Sequence, residues 1–292
     1  MLRRISAMQQ SFSSIPAIFR GPFLEKVAHG THASTILELA EHYLEFRPPS
    51  RGDRLSDWFN FFFGLLFERY RCEYVYKNAI TTKLFLSRHS VQNSYMTDEL
   101  RSGSSRADVA ILNGTSTVYE IKSQYDSLDR LDGQVAEYKK IFDRIYLVTT
   151  EGRARSVLCQ LEASIGVIAM RKNGTLSVVR EAPSNRDNTD PAAVFDCMRR
   201  VEFCRALIEA FGLIPQVPNS QLYRAARELF CSLPPGTAHD LMVRHVKARG
   251  KRQPFVDLIN RAPASLKHAC LHFTKSQAMA IDIAHRLEQP LL

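Results

Sequence analysis

No apolar run in the sequence approaches the ~20 residues needed to span a bilayer. The densest one, Trp58 to Phe67, is interrupted by Asn60 and Gly64 and reads as a buried helix, so no membrane partner is expected. A signal peptide, with its long apolar centre and small-residue cleavage site, is missing, and secretion is not expected. The six cysteines, at 72, 159, 197, 204, 231 and 270, form no CxxC pair and no zinc-ribbon spacing. That pattern argues for reduced thiols in a cytoplasmic protein and against a disulfide framework. No GxxxxGK[ST] phosphate loop occurs, so an ATP-driven step would have to come from a partner. His268 and His272 share the i,i+4 spacing of helical metal ligands, but there is no HExxH glutamate and no third ligand. They read as surface or capping histidines.

What is present is globular. The chain has 292 residues, 45% hydrophobic and 24% charged, enough for one large domain or two small ones. Lys and Arg number 39 against 30 Asp and Glu, a formal charge of +9. An excess of that size favours a polyanionic partner, because each neutralised phosphate releases counterions. Charge alone does not separate nucleic acid from an anionic surface.

Residues 1–20 are basic, Ser-rich and free of acid, and read as an N-terminal arm. Helical spacing runs from Ala33 to Phe46, where Pro48 and Pro49 stop it. Ser56 or Asp57 can cap a second helix to about Tyr70, with Trp58, Phe62, Leu65 and Leu66 in one stripe. A third helix is expected over 78–88. β-like segments follow at Ser94–Leu100, Arg106–Leu112 and Thr117–Ser123, the last two joined by Asn113-Gly114, a strong hairpin signal. Asp126 or Ser127 then caps an amphipathic helix carrying Leu128, Leu131, Val135, Tyr138 and Phe142. A buried strand at 144–149, a helix at about 152–163, and strands at 166–171 and 176–180 complete the α/β region. The polar, proline-bounded stretch 182–191 reads as a linker. Beyond it, helices are expected at about 191–211, 219–232, 236–249, 254–260 and 264–287, with no internal repeat.

The residues that carry chemistry are Asp108, Glu120 and Lys122. Strand side chains alternate, so Glu120 and Lys122 share a face and Ile121 takes the other. Asp108 joins them if the hairpin loop has an odd number of residues, and a three-residue loop suits Asn113-Gly114. A two-residue turn would send it to the wrong face. Two carboxylates and an ammonium could form a solvated salt-bridge cluster. The apolar neighbours Val109, Ile111, Val118, Tyr119 and Ile121 argue instead for inner strands, where charges need partners or a metal. Oxygen ligands select Mg²⁺ or Mn²⁺ over zinc.

Asp, a short loop, then Glu-x-Lys on the next strand resembles the signature of the PD-(D/E)XK nuclease superfamily. Gln134 and Tyr138 on the following helix match the QxxxY element of its RecB-like branches, and the run from Tyr95 to Thr150 is similar to an uncharacterised bacterial family of the sce type. The resemblance implies a restriction-endonuclease-like α/β core, a mixed central sheet flanked by helices, with an all-α C-terminal part. It implies metal ligation by Asp108, Glu120 and the backbone carbonyl of Ile121, with Glu99 supporting a second ion. Lys122 would orient or activate the attacking water, and Gln134 would align Lys122 or touch the DNA backbone. Many superfamily members also carry an acid on the helix before the first core strand; the helix expected at 78–88 has none, with Glu68 and Glu73 just ahead of it.

The resulting expectation is a metal-dependent nuclease acting on DNA, a deoxyribonuclease using Mg²⁺ or Mn²⁺, in phage defence or DNA repair. The alternative is a non-catalytic DNA-binding or assembly module with the same fold. RNA stays open as a substrate. Further nucleic-acid contacts would come from Tyr138 and from the basic cluster Arg244, Lys247, Arg249, Lys251 and Arg252. The expected division is an arm and helix over 1–50, the nuclease-like core over 51–182, and a helical domain over 191–292 whose surface would meet a second copy or a protein partner.

Overall fold

The computed structural model describes residues 12–98, 100–103, 105–250 and 255–292. Of the sequence expectations, Glu99, Lys251, Arg252 and the first eleven residues of the arm lie outside the described residues. The chain divides into two compact units, one made of Met1–Arg88 with Lys251–Leu292, the other of His89–Gly250. This corrects the expected boundaries. The helices that follow the α/β region do not form one C-terminal domain but are shared between the two units.

The first unit contains α1 (Gly21–His29), α2 (Ala33–Glu41), α3 (Leu55–Arg69) and α4 (Glu73–Ile80). The apolar stripe of α3 is buried as its spacing requires, with Trp58, Phe59, Phe62, Leu65 and Leu66 inside. Its first turn is closed by Asp57, whose carboxylate accepts the Arg54 N–H at 3.2 Å, so the cap is at Arg54 and not at Ser56 or Asp57. The third helix starts at Glu73 and passes into a π-helical turn, Thr81–Phe85. Glu73 is therefore on that helix, where it pairs with Lys77 at 2.7 Å. The last three helices of the chain complete this unit and are introduced below.

The second unit carries β1 (Tyr95–Thr97), β2 (Leu100–Ser102), β3 (Ser105–Ala107), β4 (Val109–Leu112), β5 (Ser116–Ile121), α5 (Leu131–Lys139), β6 (Arg144–Thr150), α6 (Glu151–Val157), β7 (Gly166–Met170) and β8 (Leu176–Arg180). Four helices follow, α7 (Pro191–Asp196), α8 (Arg200–Phe211), α9 (Asn219–Phe230) and α10 (Pro235–Lys247). Six strands form one mixed sheet in the order β1-β4-β5-β6-β7-β8, with β1, β4 and β5 an antiparallel meander and β6 and β7 parallel to β5. Strands β2 and β3 make a separate two-stranded hairpin. The architecture is a mixed α/β sheet flanked by helices. Val118, Leu147, Val167 and Ala169 of the sheet form one core with Val135 and Tyr138 of α5 and with Phe195, Phe203, Phe230 and Met242 of α7–α10.

Two expected strands are broken by aspartates. The segment expected at 94–100 splits around Asp98, and the one at 106–112 splits at Asp108 into β3 and β4. The hairpin register pairs Leu112 with Ser116 and Val109 with Tyr119, which leaves the odd-numbered loop 113–115. Gly114 sits there at φ 128°, a conformation that only glycine adopts without strain. Helix α5 starts at Leu131, later than expected, because Asp126 is spent on the Ser123 N–H at 2.7 Å and Ser127 on the Asp129 N–H at 3.1 Å.

The stretch 182–191 is no free linker. The Asn185 side chain donates to the carbonyls of Lys139 and Phe142 at 2.7 and 3.0 Å, and the Asn185 and Arg186 N–H groups donate to Asp143, both at 3.0 Å. Ser184 also donates to Asp143. Helices α7–α10 are thereby held on the sheet that precedes them.

Helices α11 (Phe255–Arg261), α12 (Lys267–Phe273) and α13 (Gln277–Leu287) return to the first unit, where α13 lies along α1. The Leu55 N–H donates to the Gln289 carbonyl at 2.9 Å and the Leu291 N–H to that of Asp53 at 3.0 Å. His268 is buried rather than on the surface, with Nδ1 2.8 Å from the Thr81 hydroxyl. Among the described residues no helix is long and apolar enough to cross a membrane.

Candidate functional site

Alternation along β5 puts Glu120 on the face covered by α5, and Lys122 follows on the same side. Glu120 is 1% exposed. A carboxylate that deep must be compensated, and each of its oxygens is: Oε1 is 2.8 Å from the Lys122 ammonium and Oε2 accepts the Tyr138 hydroxyl at 2.7 Å. Lys122 also donates to the Gln134 carbonyl oxygen at 2.9 Å. Gln134 and Tyr138 are four residues apart on α5, one helical turn, so a single helix face delivers both to the strand. The Lys122 side chain is 13% exposed and its ammonium has three donors, two of which are used in these contacts. The third has no partner among the described residues.

Asp108 reaches the cluster by another route. The β4–β5 ladder ends at Val109 and Tyr119, so the Ile121 N–H has no strand opposite it. Asp108, at the break between β3 and β4, supplies the missing acceptor with Oδ2 at 2.7 Å from that nitrogen. A strand residue points its N–H and C=O to the same edge, so the Ile121 carbonyl faces the side from which Asp108 comes. The charge of Asp108 is also felt by Tyr138.

Burial, then the Glu120 carboxylate, pushes the pKa of Tyr138 well above that of an ordinary phenol. The hydroxyl is therefore a permanent donor. It has one hydrogen and two acceptors, since the Arg106 carbonyl lies at 2.8 Å as well. Tyr138 is fully buried, which corrects the expectation that it contacts nucleic acid; it positions Glu120 instead. Lys122 is held from behind: its carbonyl accepts the Thr149 hydroxyl at 2.6 Å, its N–H donates to Val148 at 3.0 Å, and the Arg153 guanidinium donates to the Ser123 carbonyl. Ser123 is buried and structural, as its opposite facing implies.

The oxygens of Asp108 and Glu120, with the Ile121 carbonyl, have the chemistry of a hard-cation site, and Mg²⁺ needs only one or two carboxylates when waters and substrate phosphates complete its shell. An ionised carboxylate has about four lone-pair positions, so the Lys122 and Tyr138 contacts leave Glu120 room for an ion. Among the described residues, no group of three or more His, Cys, Asp and Glu converges on one point.

Two arginines of the basic cluster, Arg244 on α10 and Arg249 just beyond it, are paired with carboxylates. Arg249 donates to both oxygens of Glu202 and is mostly buried, and Arg244 pairs with Glu209. Neither is a free phosphate contact. Lys247 is half-buried at the end of the same helix.

One chain of polar residues escaped the sequence reading. Ser116 on β5 and His239 on α10 are both fully buried, with the hydroxyl 2.7 Å from Nε2, while Nδ1 lies 3.3 Å from Asp240. The tautomer that satisfies both contacts carries its proton on Nδ1. Asp240 in turn takes a two-pronged contact from Arg186 at 2.9 and 2.6 Å. The order Ser–His–Asp mimics a nucleophilic triad, but a hydroxyl with no exposure reaches no substrate. It ties α10 to the sheet. No sequence spacing could reveal it, since Ser116 and His239 lie far apart in the chain.

The family model described as "Bacteriophage P4 protein cII" matches residues 67–258, which contain Asp108, Glu120, Lys122, Gln134 and Tyr138. Protein cII of Enterobacteria phage P4 is 38% identical over 72 residues, 25% of this chain and 27% of that protein. The chain thus matches only about a quarter of the length of that curated relative. Among solved structures, SPO1766, a protein of unknown function from Silicibacter pomeroyi, is 20% identical, covering 37% of this chain and 68% of that one at a TM-score of 0.30. With more than half of its length in the family match, the chain belongs to the bacteriophage P4 protein cII family.

Proposed function

We propose that the protein is a metal-dependent nuclease that hydrolyses phosphodiester bonds in DNA, with a restriction-endonuclease-like core of the PD-(D/E)XK kind. The observation that carries this reading is the single cluster formed by Glu120, Lys122, Gln134 and Tyr138, with Asp108 at the adjoining strand break. Three backbone or side-chain oxygens suited to Mg²⁺ or Mn²⁺ adjoin an ammonium whose third donor has no partner among the described residues. The +9 charge suits a polyanionic substrate.

On this reading Asp108, Glu120 and the Ile121 carbonyl would hold the ion, which would supply Lewis-acid activation of the attacking water and offset charge on the phosphate. Lys122 uses its free N–H on a phosphate oxygen or on the attacking water. Gln134 fixes the direction of that N–H by taking another, and Tyr138 keeps Glu120 from rotating. A family named for a phage protein favours a mobile-element setting over DNA repair.

A second reading has its own support: Glu120 already has a donor on each oxygen, and Asp108 is engaged with the Ile121 N–H, so the cluster is satisfied without metal. That suits a DNA-binding or assembly module without turnover. Incubating the chain with plasmid, linear and single-stranded DNA and with RNA, in Mg²⁺, Mn²⁺ or EDTA, separates the two. Metal-dependent cutting that is lost in Asp108→Asn and Glu120→Gln supports the nuclease. Retention of DNA with no cutting of any substrate supports the module. Both variants keep their acceptors. In Asp108→Asn the side-chain carbonyl still meets the Ile121 N–H. In Glu120→Gln the amide accepts from Lys122 while donating to a Tyr138 hydroxyl turned toward Arg106. Wild-type cutting by either variant overturns the site.

A further inference from the structure

We propose that the outer edge of β8 is a self-association surface, on which a second copy of this chain adds its own β8 antiparallel and joins the two sheets. The inference stands apart from the nuclease reading. β8 is the last strand in the sheet order and pairs only with β7 among the described residues. The Arg171 N–H donates to the Thr175 carbonyl at 2.9 Å, and bonded and non-bonded pairs alternate along an antiparallel ladder. Ala169–Ser177 is therefore a bonded pair, while Met170–Leu176 and Ile168–Val178 are not. Leu176 and Val178 consequently point their N–H and C=O groups away from β7, at the open edge. Val179 is the extra residue of a bulge beside Val167 and Ile168, and the regular edge ends there.

The side chains of this edge suit a copy of itself. Open edge strands are usually guarded by a charge or a proline. From Leu176 to Val179 there is neither, and Val178 and Val179 are each 42% exposed. The one charge of the strand, Arg180, is folded back: Nε donates to the Ile165 carbonyl and a terminal nitrogen to that of Glu162, both at 2.8 Å. A twofold axis at Ser177 sets Leu176 of each copy opposite Val178 of the other. That makes about four backbone hydrogen bonds and lines up the apolar side chains on one face. Ser177 then meets Ser177, and no like charges are opposed between 175 and 179. The ends differ in sign: Arg171 and Lys172 flank the β7–β8 turn and Glu181 follows the far end, so antiparallel copies bring opposite charges together. An edge of this length falls short of the ~1,200 Å² of a stable interface, which makes the dimer a weak one.

Sedimentation equilibrium of the full chain, from about 1 to about 300 μM, should show a reversible monomer–dimer equilibrium. Val178→Pro removes a donor that faces outward and leaves the β7 ladder whole; it should weaken the dimer about tenfold or more. Val178→Lys, which supplies the missing edge guard, should do the same. Circular dichroism melts establish that both variants are folded. The control, Ile208→Lys, changes a side chain that is 52% exposed on α8 and should leave the equilibrium unchanged. Under mild oxidation Ser177→Cys should give a dimer linked through position 177, because a non-bonded pair holds its Cα atoms about 4.5 Å apart, within disulfide reach. Peptide mass mapping separates that link from any through the exposed Cys159 and Cys231. A wild-type chain that stays monomeric throughout overturns the proposal. So does a dimer that survives both Val178 variants, is broken by Ile208→Lys, or forms no link at position 177.

Discussion

Replacing Lys122 by Met removes the ammonium and keeps most of the stem. Glu120, 1% exposed, then loses its cation and retains the Tyr138 hydroxyl. Breaking a buried ion pair from one side costs about 3–5 kcal/mol. The lower end applies, because Lys122 is 13% exposed and one hydrogen bond to Glu120 survives. For a unit of this size each kcal/mol moves Tm by about 2–4 °C, so a loss of about 3 kcal/mol lowers Tm by about 6–12 °C in EDTA. If the proposed nuclease site is correct, a divalent ion held by Glu120 and Asp108 would replace the missing positive charge. At 100 times its Kd it returns about 2.7 kcal/mol, most of the deficit. Thermal melts and cleavage rates across a Mn²⁺ series read both effects. A catalytic Lys122 leaves the metal-restored variant folded but inactive; near-normal turnover at saturating metal rejects the catalytic role. A Tm loss of under 2 °C in EDTA refutes the argument that this ion pair is buried and needed.

Three other outcomes follow from the same contacts. Tyr138→Phe removes a hydrogen bond to a charged group and should cost about 1.5–3 kcal/mol; a double-mutant cycle with Glu120→Gln should then show coupling above about 1 kcal/mol, and additive losses would disprove the link. Burial, the largest influence, holds the pKa of His239 below that of a free imidazole, outweighing the opposite pull of Asp240 and Asp143, with Arg186 adding to the depression. The unfolded chain therefore takes up a proton that the fold refuses, so stability present above pH ~6.5 falls as the pH drops through and below that value; His239→Gln should flatten this slope, measured by urea melts between pH 7.5 and 5.5, and an unchanged slope would dismiss the buried contact. Glu202 is the buried partner of Arg249, so Arg249→Met should destabilise by about 3 kcal/mol and leave DNA affinity nearly unchanged; a large loss of affinity without a stability change would restore α10 to the nucleic-acid surface.

The hairpin at Asn113-Gly114, the shared face of Glu120 and Lys122, and the α5 turn carrying Gln134 and Tyr138 were all legible in the chain, because period-2 and period-3.6 spacing and turn chemistry act over a few residues. The odd loop that brings Asp108 to the correct side was one of two registers the residues allowed, and the observed Leu112–Ser116 pairing chose between them. Local pattern did not show that Asp108 interrupts its strand. The break appears only when the fold leaves the Ile121 N–H without a strand partner for a carboxylate to satisfy. Nor did it show that 182–191 is bound: its composition is that of a linker, yet Asp143, itself buried, needs the donors that Ser184, Asn185 and Arg186 bring. The Ser116–His239 contact and the union of α13 with α1 are of the same kind. Sequence alone determined most of the elements, though not all of their limits, and the shared face of Glu120 and Lys122. Tertiary structure decided which distant polar group answers each buried donor, because that requirement is set by burial, and burial exists only once the elements have come together.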